Sequence, residues 1–178
     1  MNKLNTKDMT QIALFTTIII ISSWLNVTIF SFIPFTLQTY AIFLCLLTLN
    51  KKNSLYCILL YIIMGCIGLP VFSGFKGGAQ ALFGPTGGFI IGFIIMGLIN
   101  FITYNKNHKL YLRFIIMLIS LCALYFFGVV WFVNVYTKSP ITLIEAYNIC
   151  VAPFIIFDIS KLLLACLTTN RISKLIIK

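Results

Sequence analysis

Residues 110–135 read LYLRFIIMLISLCALYFFGVVWFVNV, and this stretch decides the class of fold. Its one charged residue, Arg113, lies near its start. A transmembrane helix needs about 20 predominantly apolar residues. Because lipid offers no partner to backbone N–H and C=O groups, a long apolar run crosses the membrane as a helix. The stretch therefore predicts a membrane-spanning helix in an all-α protein.

Five further apolar runs flank this stretch. They cover approximately residues 12–33, 35–49, 54–69, 85–104 and 143–168. Pro34 and Pro70 separate runs, since proline lacks a backbone donor and restricts the residue before it. The run at 35–49 is short for a full span, so we expect it to be tilted or to use the preceding loop. The pattern predicts six transmembrane helices in one integral-membrane domain over residues 1–178.

The composition agrees with this class. Hydrophobic residues make up 61% of the chain and charged residues 9%, whereas a soluble domain carries about 25% charged residues. Six helices would use about 120 residues, which leaves no room for a soluble catalytic module. No GxxxxGK[ST] sequence is present, so we expect any ATPase to be a separate chain.

The basic residues are distributed unevenly between the two sides of these six spans. Only Lys76 and Lys138 fall on the side opposite the termini, and Lys161 lies within the last span. The other ten fall on the side of the termini: Lys3, Lys7, Lys51, Lys52, Lys106, Lys109, Arg113, Arg171, Lys174 and Lys178. Because cytoplasmic loops are enriched in Lys and Arg, both termini are predicted to be cytoplasmic. Orientation thus accounts for the net charge of +10, and no nucleic-acid partner is expected.

The cysteines and the histidine do not indicate a metal or redox site. The six cysteines lack CxxC spacing, and His108 is the one histidine. Neither a zinc site nor a disulfide framework is therefore expected. We expect no metal and no cofactor.

Ten of the eleven glycines lie between residues 65 and 97, around an outer loop at 70–85 that includes Gly74 and Gly78. Glycine permits positive φ, and irregular backbone at membrane depth persists only where protein or a water-filled cavity covers it. We expect the loop to fold back into the bundle and line a ligand cavity; a packed loop without a ligand is the alternative. Gly88 and Gly92 form a GxxxG pair, which permits close helix contact.

Asp158 and Lys161 are unusual because they lie inside an apolar run. A charge near the bilayer centre costs about 2.5–3.5 kcal/mol, and the i,i+3 spacing lets the two side chains pair on one helix face. They form either a structural ion pair or a polar site for a ligand with both N–H and C=O groups. Pro153 predicts a kink one turn earlier, and Gln38 and Gln80 are candidate cavity amides.

Four motifs then occur in order: PFTLQT at 34–39, GLPVFSG at 68–74, GPTGG at 84–88, and the DxxK of Asp158 and Lys161. Together they resemble the BioY family, the biotin-specific S components (substrate-capture subunits) of energy-coupling factor (ECF) transporters. The resemblance covers nearly the whole chain. It implies an S-component fold that binds biotin with high affinity in the outer half of a bacterial plasma membrane. It also implies a transmembrane coupling subunit and two ABC ATPase subunits as partners.

The resemblance also assigns residues. Asp158 and Lys161 match the family's ligand-binding acid and lysine, so Asp158 is expected to accept from the ureido N–H groups of biotin and Lys161 to donate to its carbonyl. Phe72, Phe75 and Trp131 are expected to form apolar walls, as is usual in small-ligand sites.

S components are similar in having AxxxA on the first helix, where they contact the coupling subunit. The matching positions here are Ala13 and Thr17. Threonine departs from the pattern but is small enough for close helix approach.

Two other functions stay open at this point. One is an S component for another vitamin, such as riboflavin or thiamine. The other is an intramembrane enzyme that uses Asp158 as an acid or base. That enzyme would need a second catalytic group, and no paired acid or GxSxG sequence is present, so we expect a transport subunit rather than an enzyme.

Overall fold

The structure is a computed structural model that describes residues 5–27, 34–105, 107–136 and 140–176. This part of the chain is mostly helical, as expected. Its helices are α1 (Thr6–Trp24), α2 (Gln38–Thr48), α3 (Lys51–Cys66), α4 (Ala79–Phe83), α5 (Gly87–Thr103), α6 (Leu110–Val135), α7 (Leu143–Cys150) and α8 (Ile155–Ile176). Two short strands, β1 (Asn26–Val27) and β2 (Phe35–Thr36), pair antiparallel.

Helix α1 ends earlier than the apolar run that contains it. The run predicted helix to residue 33, but α1 ends at Trp24 and the chain continues as β1; residues 28–33 lie outside the described part. The Asn26 side-chain amide donates to the Trp24 carbonyl at 2.8 Å. This bond competes with helical pairing of that carbonyl. The prediction of continuous helix was therefore wrong beyond Trp24.

Helix α2 lies at the centre of the bundle. Its residues 41–47 are all buried, and it packs against α1, α3, α5 and α8. A helix that is apolar on all sides is expected to be buried in this way. With 11 residues, α2 is about 16 Å long, well short of the roughly 30 Å hydrocarbon layer. The short second run is thus an interior helix preceded by β2.

The most extensive helix contact is between α5 and α6, and glycines make it close. A Cβ atom at Gly88 would lie 2.2 Å from the Cβ atom of Trp131, and one at Gly92 would lie 2.6 Å from Cδ1 of Leu124. Gly128 on α6 faces the Phe89 ring in the same way. The close contact predicted for the GxxxG pair is confirmed.

The last apolar run is broken. Helices α7 and α8 are bent by 50° relative to each other, and Pro153 lies in the break between them. The kink expected from Pro153 is therefore confirmed. Helix α8 starts at Ile155, which places Asp158 in its first turn and Lys161 one turn further.

Large apolar side chains lie on the outside of the bundle, while two charged side chains are buried inside it. On α8, Ile156, Leu163 and Leu167 are exposed, whereas Asp158 and Lys161 are buried. Within the described ranges, α6 by itself and α7 with α8 as a bent pair have the length and hydropathy to cross a membrane. Six spans and the side on which the termini lie stay predictions.

Candidate functional site

A cavity of about 120 Å³ lies between α2, α5, α6, α8 and the loop that precedes α4. One water needs roughly 10–15 Å³, so this space is large enough for a small ligand. The apolar part of its lining consists of Pro34, Phe72, Ala81, Phe89, Ile90, Phe93, Leu124, Cys150 and Phe154. The polar part consists of Thr36, Gln38, Thr39, Ser73, Lys76, Thr86, Tyr125, Asp158 and Lys161.

Asp158 is the centre of the polar network. It is 5% exposed, and its Oδ1 accepts from Lys161 Nζ at 2.7 Å and from Thr39 Oγ1 at 2.8 Å. Its Oδ2 accepts from the Tyr125 hydroxyl at 2.6 Å. A buried carboxylate is tolerated when a cation and hydrogen-bond donors compensate for lost hydration. Helices α2, α6 and α8 each supply one of these three donors.

Lys161 is held by the same cluster. It is 6% exposed, and its ammonium also donates to the Thr36 carbonyl at 2.7 Å and lies 3.1 Å from Thr39 Oγ1. The nitrogen lies 4.1 Å from the centre of the Phe35 ring, a distance typical of a cation–π contact. The two charges therefore neutralise each other at the cavity wall.

The PFTLQT segment positions both ends of this network. Phe35 and Thr36 form β2, and Gln38 and Thr39 start α2. The Thr36 carbonyl and the Thr39 hydroxyl both contact side chains of α8. Gln38 lies between Thr36 and Thr39, and its side-chain amide donates to the Tyr61 hydroxyl at 2.9 Å. The i,i+3 spacing on α8 completes the arrangement, since it puts Asp158 and Lys161 on one face.

The glycine-rich loop folds back against the bundle, as the sequence predicted. Phe72 is buried, and its ring meets the Tyr61 ring edge-on at 5.4 Å. The Phe72 N–H donates to the Lys76 carbonyl at 2.9 Å, and Gly78 N–H donates to the Gly65 carbonyl at 2.7 Å. These bonds fix the backbone so that Phe72, Ser73 and Lys76 line the cavity.

The remaining predicted glycines shape this loop rather than line the cavity. Gly74 and Gly78 have φ of 72° and 80°, a region that side-chain-bearing residues rarely adopt. Neither contributes to the lining.

Three other predicted ligand contacts also lie outside the lining. Phe75 is 63% exposed and stacks on Trp24, with ring centres 5.1 Å apart. Gln80 is exposed on α4. The Trp131 indole N–H donates to the Gly84 carbonyl at 3.0 Å, so Trp131 holds the segment that leads into α5. Of the nine residues predicted for the site, the structure brings together Asp158, Lys161, Gln38 and Phe72.

Sequence reasoning missed several cavity residues. Thr36 and Thr39 lie within PFTLQT, but the motif did not indicate that these two residues in particular line the cavity. Tyr125 lies in a mainly apolar run, and a phenol hydroxyl that is buried there needs a hydrogen-bond partner. The sequence did not predict that Ser73 and Lys76 line the cavity, because a loop has no periodicity from which to infer where its side chains point.

The sequence matches the BioY family over residues 1–178. The chain belongs to the BioY family. Family membership accounts for the apolar exterior, because BioY relatives are transporters and this chain is a membrane protein of that family. The relatives that match this chain along most of its length are named as transporters.

Individual relatives agree along most of the chain. The biotin transporter BioY of Thermotoga maritima is 32% identical over 169 residues, covering 95% of this chain and 97% of that protein. The biotin transporter BioY2 of Lactococcus lactis is 36% identical over 163 residues, covering 90% and 87%. The similarity to BioY proteins therefore extends beyond the four motifs to most of the chain.

The fold is also similar to a solved structure. The crystal structure of the S-component for biotin from an ECF-type ABC transporter aligns with a TM-score of 0.81 and 29% identity. The alignment covers 94% of this chain and 91% of that one. This BioY chain therefore has the S-component fold.

Proposed function

We propose that this chain binds biotin and serves in its uptake as the S component of an ECF-type transporter. One observation carries the proposal: a buried, hydrogen-bonded Asp158–Lys161 pair lines an interior cavity of a BioY family fold. The relatives named as biotin transporters favour biotin over riboflavin or thiamine.

The chemistry of the pair suits the ureido ring of biotin. That ring has two N–H donors and one carbonyl acceptor. Asp158 accepts from an N–H group, and Lys161 donates to the carbonyl. Away from water, hydrogen bonds to ionised groups are shorter and stronger than those between neutral groups. Thr39 and Thr36, which contact Lys161 in the structure, hold the pair in place while it exchanges partners.

The rest of the cavity suits the apolar part of the same ligand. Phe72 and Gln38 both line the cavity, so Phe72 covers the thiophane ring from the loop side and Gln38 offers a further polar group. Small-ligand sites commonly combine apolar walls with a few placed polar groups.

The membrane arrangement follows from the S-component fold and the charge asymmetry. The chain forms one multi-pass domain of six spans in a bacterial plasma membrane, with both termini in the cytoplasm and the biotin cavity in the outer half. Positive-inside orientation supports this placement.

Import requires partners that hydrolyse ATP. These are an ECF transmembrane coupling subunit and two ABC ATPase subunits, and this chain itself is not an enzyme. Helix α1 offers a face for the coupling subunit, since Ala13 and Thr17 are exposed one turn apart. Thr17 Oγ1 donates to the Ala13 carbonyl at 2.9 Å, so its hydroxyl is satisfied within the helix. Small residues of this kind allow helices to approach closely.

The test is a ligand titration of the purified chain in detergent, with biotin, riboflavin and thiamine in parallel. We expect saturable binding of one biotin per chain and no saturable binding of the other two. Mass spectrometry of protein purified from biotin-containing medium should show unmodified biotin. Preference for another vitamin, or a chemically altered biotin, would contradict the proposal.

A further inference from the structure

A second, smaller cavity lies at the opposite end of α2 from the cavity around Asp158. It is formed where α5 ends and α6 begins, and its volume is about 10 Å³, which is room for roughly one water-sized group. The carbonyl of Leu47, which Arg113 of this cavity contacts, lies about 12 Å along α2 from Thr39. The two cavities are therefore separate. Most of the lining of the smaller one is polar: Asn100, Thr103, Tyr104, Asn105, His108 and Arg113.

Arg113 is a partly buried cation at this second cavity. Its guanidinium donates to the Leu47 carbonyl, which is one of the last carbonyls of α2. A helix end of this kind carries roughly half a negative charge. Because a guanidinium has a full positive charge and five N–H donors, the end of α2 compensates only part of that charge.

The acidic residues of the chain do not supply the rest. The sequence has three of them, and all three lie in the described part. Asp8 and Glu145 cap the starts of α1 and α7, and Asp158 pairs with Lys161. An anion that pairs with Arg113 must therefore come from outside the chain.

The turn before α6 adds a second donor to the cavity. The Asn105 side chain accepts from the Asn107 N–H at 3.0 Å, and the Asn105 carbonyl accepts from the His108 N–H at 3.2 Å. These two bonds fold the turn, and the His108 side chain lines the same cavity as Arg113. An arginine fork is suited to the oxygens of a phosphate or a carboxylate, and an imidazole N–H can donate to a further oxygen.

The surface around the cavity is apolar. Ile102 at the end of α5 and Tyr111 and Ile115 in the first turns of α6 are exposed. A free inorganic anion has no use for such a surface, whereas a phospholipid brings acyl chains together with its phosphate. The positive-inside count places this end of the bundle on the cytoplasmic side, where the leaflet carries anionic lipids and basic pockets between helices bind their head groups.

We infer that Arg113 and His108 form a binding site for the phosphate of an anionic phospholipid. One phosphate oxygen occupies the small cavity and accepts from the guanidinium, and His108 donates to another. The acyl chains lie along the exposed side chains of α5 and α6. Because Arg113 also contacts the end of the buried helix α2, lipid at this site stabilises the bundle from the end opposite the cavity around Asp158.

The experiment measures thermal unfolding of the delipidated chain in detergent, with and without added lipid. We expect phosphatidylglycerol to raise the unfolding midpoint by about 2–4 °C, because a ligand that binds only the folded state stabilises it. Phosphatidylcholine, which has no net charge, and inorganic phosphate should each raise it by less than about 1 °C. Native mass spectrometry of the same samples should show phosphatidylglycerol bound to the chain.

Two variants test the residues. Arg113→Gln should lose the rise that phosphatidylglycerol causes, whatever its own midpoint without lipid. His108→Ala changes a residue of the turn and should reduce the rise while the chain stays folded. The matched control is Lys52→Met, which removes an exposed lysine at the start of α3, outside the cavity lining, and should keep the full rise.

Each other outcome would overturn the inference. An equal rise with inorganic phosphate would make a free anion the ligand, and an equal rise with phosphatidylcholine would mean that the lipid's charge is not recognised. If Arg113→Gln or, should that variant not fold, His108→Ala keeps the parent's rise, these residues do not form the site. A loss of the rise in Lys52→Met would show a general effect of basic residues.

Discussion

Asp158 shows how a single residue is made tolerable inside an apolar bundle. The carboxylate has lost its water, but Lys161, Thr39 and Tyr125 donate to it within 2.8 Å. Removing one partner of a buried pair is costly because the other charge is left uncompensated. The same donors that stabilise the buried carboxylate therefore hold it where a ligand would meet it.

The first residue-scale prediction concerns the charge itself. Asp158→Asn keeps the shape of the side chain but removes the charge, so hydrogen bonds from the ureido N–H groups weaken. Charge-assisted hydrogen bonds contribute about 1.5–3 kcal/mol, so we expect biotin affinity to fall about tenfold or more in a calorimetric titration. Glu145→Gln, which changes an exposed acid at the start of α7, should leave the affinity unchanged. An unaltered affinity for Asp158→Asn would exclude the proposed role.

The second residue-scale prediction concerns the donor to Oδ2. Tyr125→Phe keeps the ring and removes the hydroxyl that lies 2.6 Å from Asp158. The carboxylate is then less firmly positioned, and we expect biotin affinity to fall about tenfold, in line with the loss of a hydrogen bond to a charged group. Tyr111→Phe on the exposed, opposite end of α6 is the matched control. Equal affinities for the two variants would show that the Tyr125 hydroxyl does not position Asp158.

At the scale of elements, the contact between α5 and α6 depends on glycines that face large residues. Gly88 lies against the Trp131 side chain and the Phe127 carbonyl, and Trp131 in turn bonds to Gly84. Helix packing and the position of the loop that lines the cavity are therefore linked through one tryptophan.

Gly88→Ala should destabilise the bundle. The new Cβ atom would lie 2.2 Å from the Trp131 Cβ and 3.0 Å from the Phe127 carbonyl oxygen, neither of which can turn aside. Overpacking of this kind costs about 1–3 kcal/mol, which should lower the midpoint of thermal unfolding in detergent. Gly97→Ala on the same helix meets only the ends of Leu55 and Ile58 at 3.0 and 3.2 Å. A midpoint for Gly88→Ala at or above that of Gly97→Ala would show that α6 yields at this position.

At the scale of the whole molecule, two sets of polar groups lie in different parts of the bundle. One set surrounds Asp158 and Lys161. The other lies where α1 and α3 begin and where α2 ends. There the Asn53 amide donates to Asp8 Oδ1 at 2.7 Å, and the Arg113 guanidinium donates to the Leu47 carbonyl. The second set lies with the helix ends that the charge count places in the cytoplasm.

Fusions can test this orientation. Green fluorescent protein joined after residue 178 should fluoresce, because it folds in the cytoplasm. Alkaline phosphatase needs disulfides that form outside the cytoplasm, so it should be active when fused after residue 76 and inactive when fused after residue 109. An active phosphatase after residue 109 would mean that the predicted orientation is inverted.

Much of this protein could be predicted from its sequence. The scarcity of charge determines that the chain is apolar outside, and the isolated Asp158 and Lys161 must pair because neither can be left alone in a dry interior. Glycine spacing predicted the close helix contact, and Pro153 predicted the bend. These features could be predicted because residue spacing along a helix and side-chain charge do not depend on which other segments pack against it.

Other features depended on which segments meet in space. Whether α1 continued past Trp24 was decided by Asn26 and by pairing with β2, neither of which periodicity reveals. The donors Thr39 and Tyr125 are separated from Asp158 by 119 and 33 residues, and loop side chains took their direction from backbone turns. The sequence by itself determined which residues needed partners; only the tertiary structure decided which partners they have, because contacts between distant segments depend on how the helices pack.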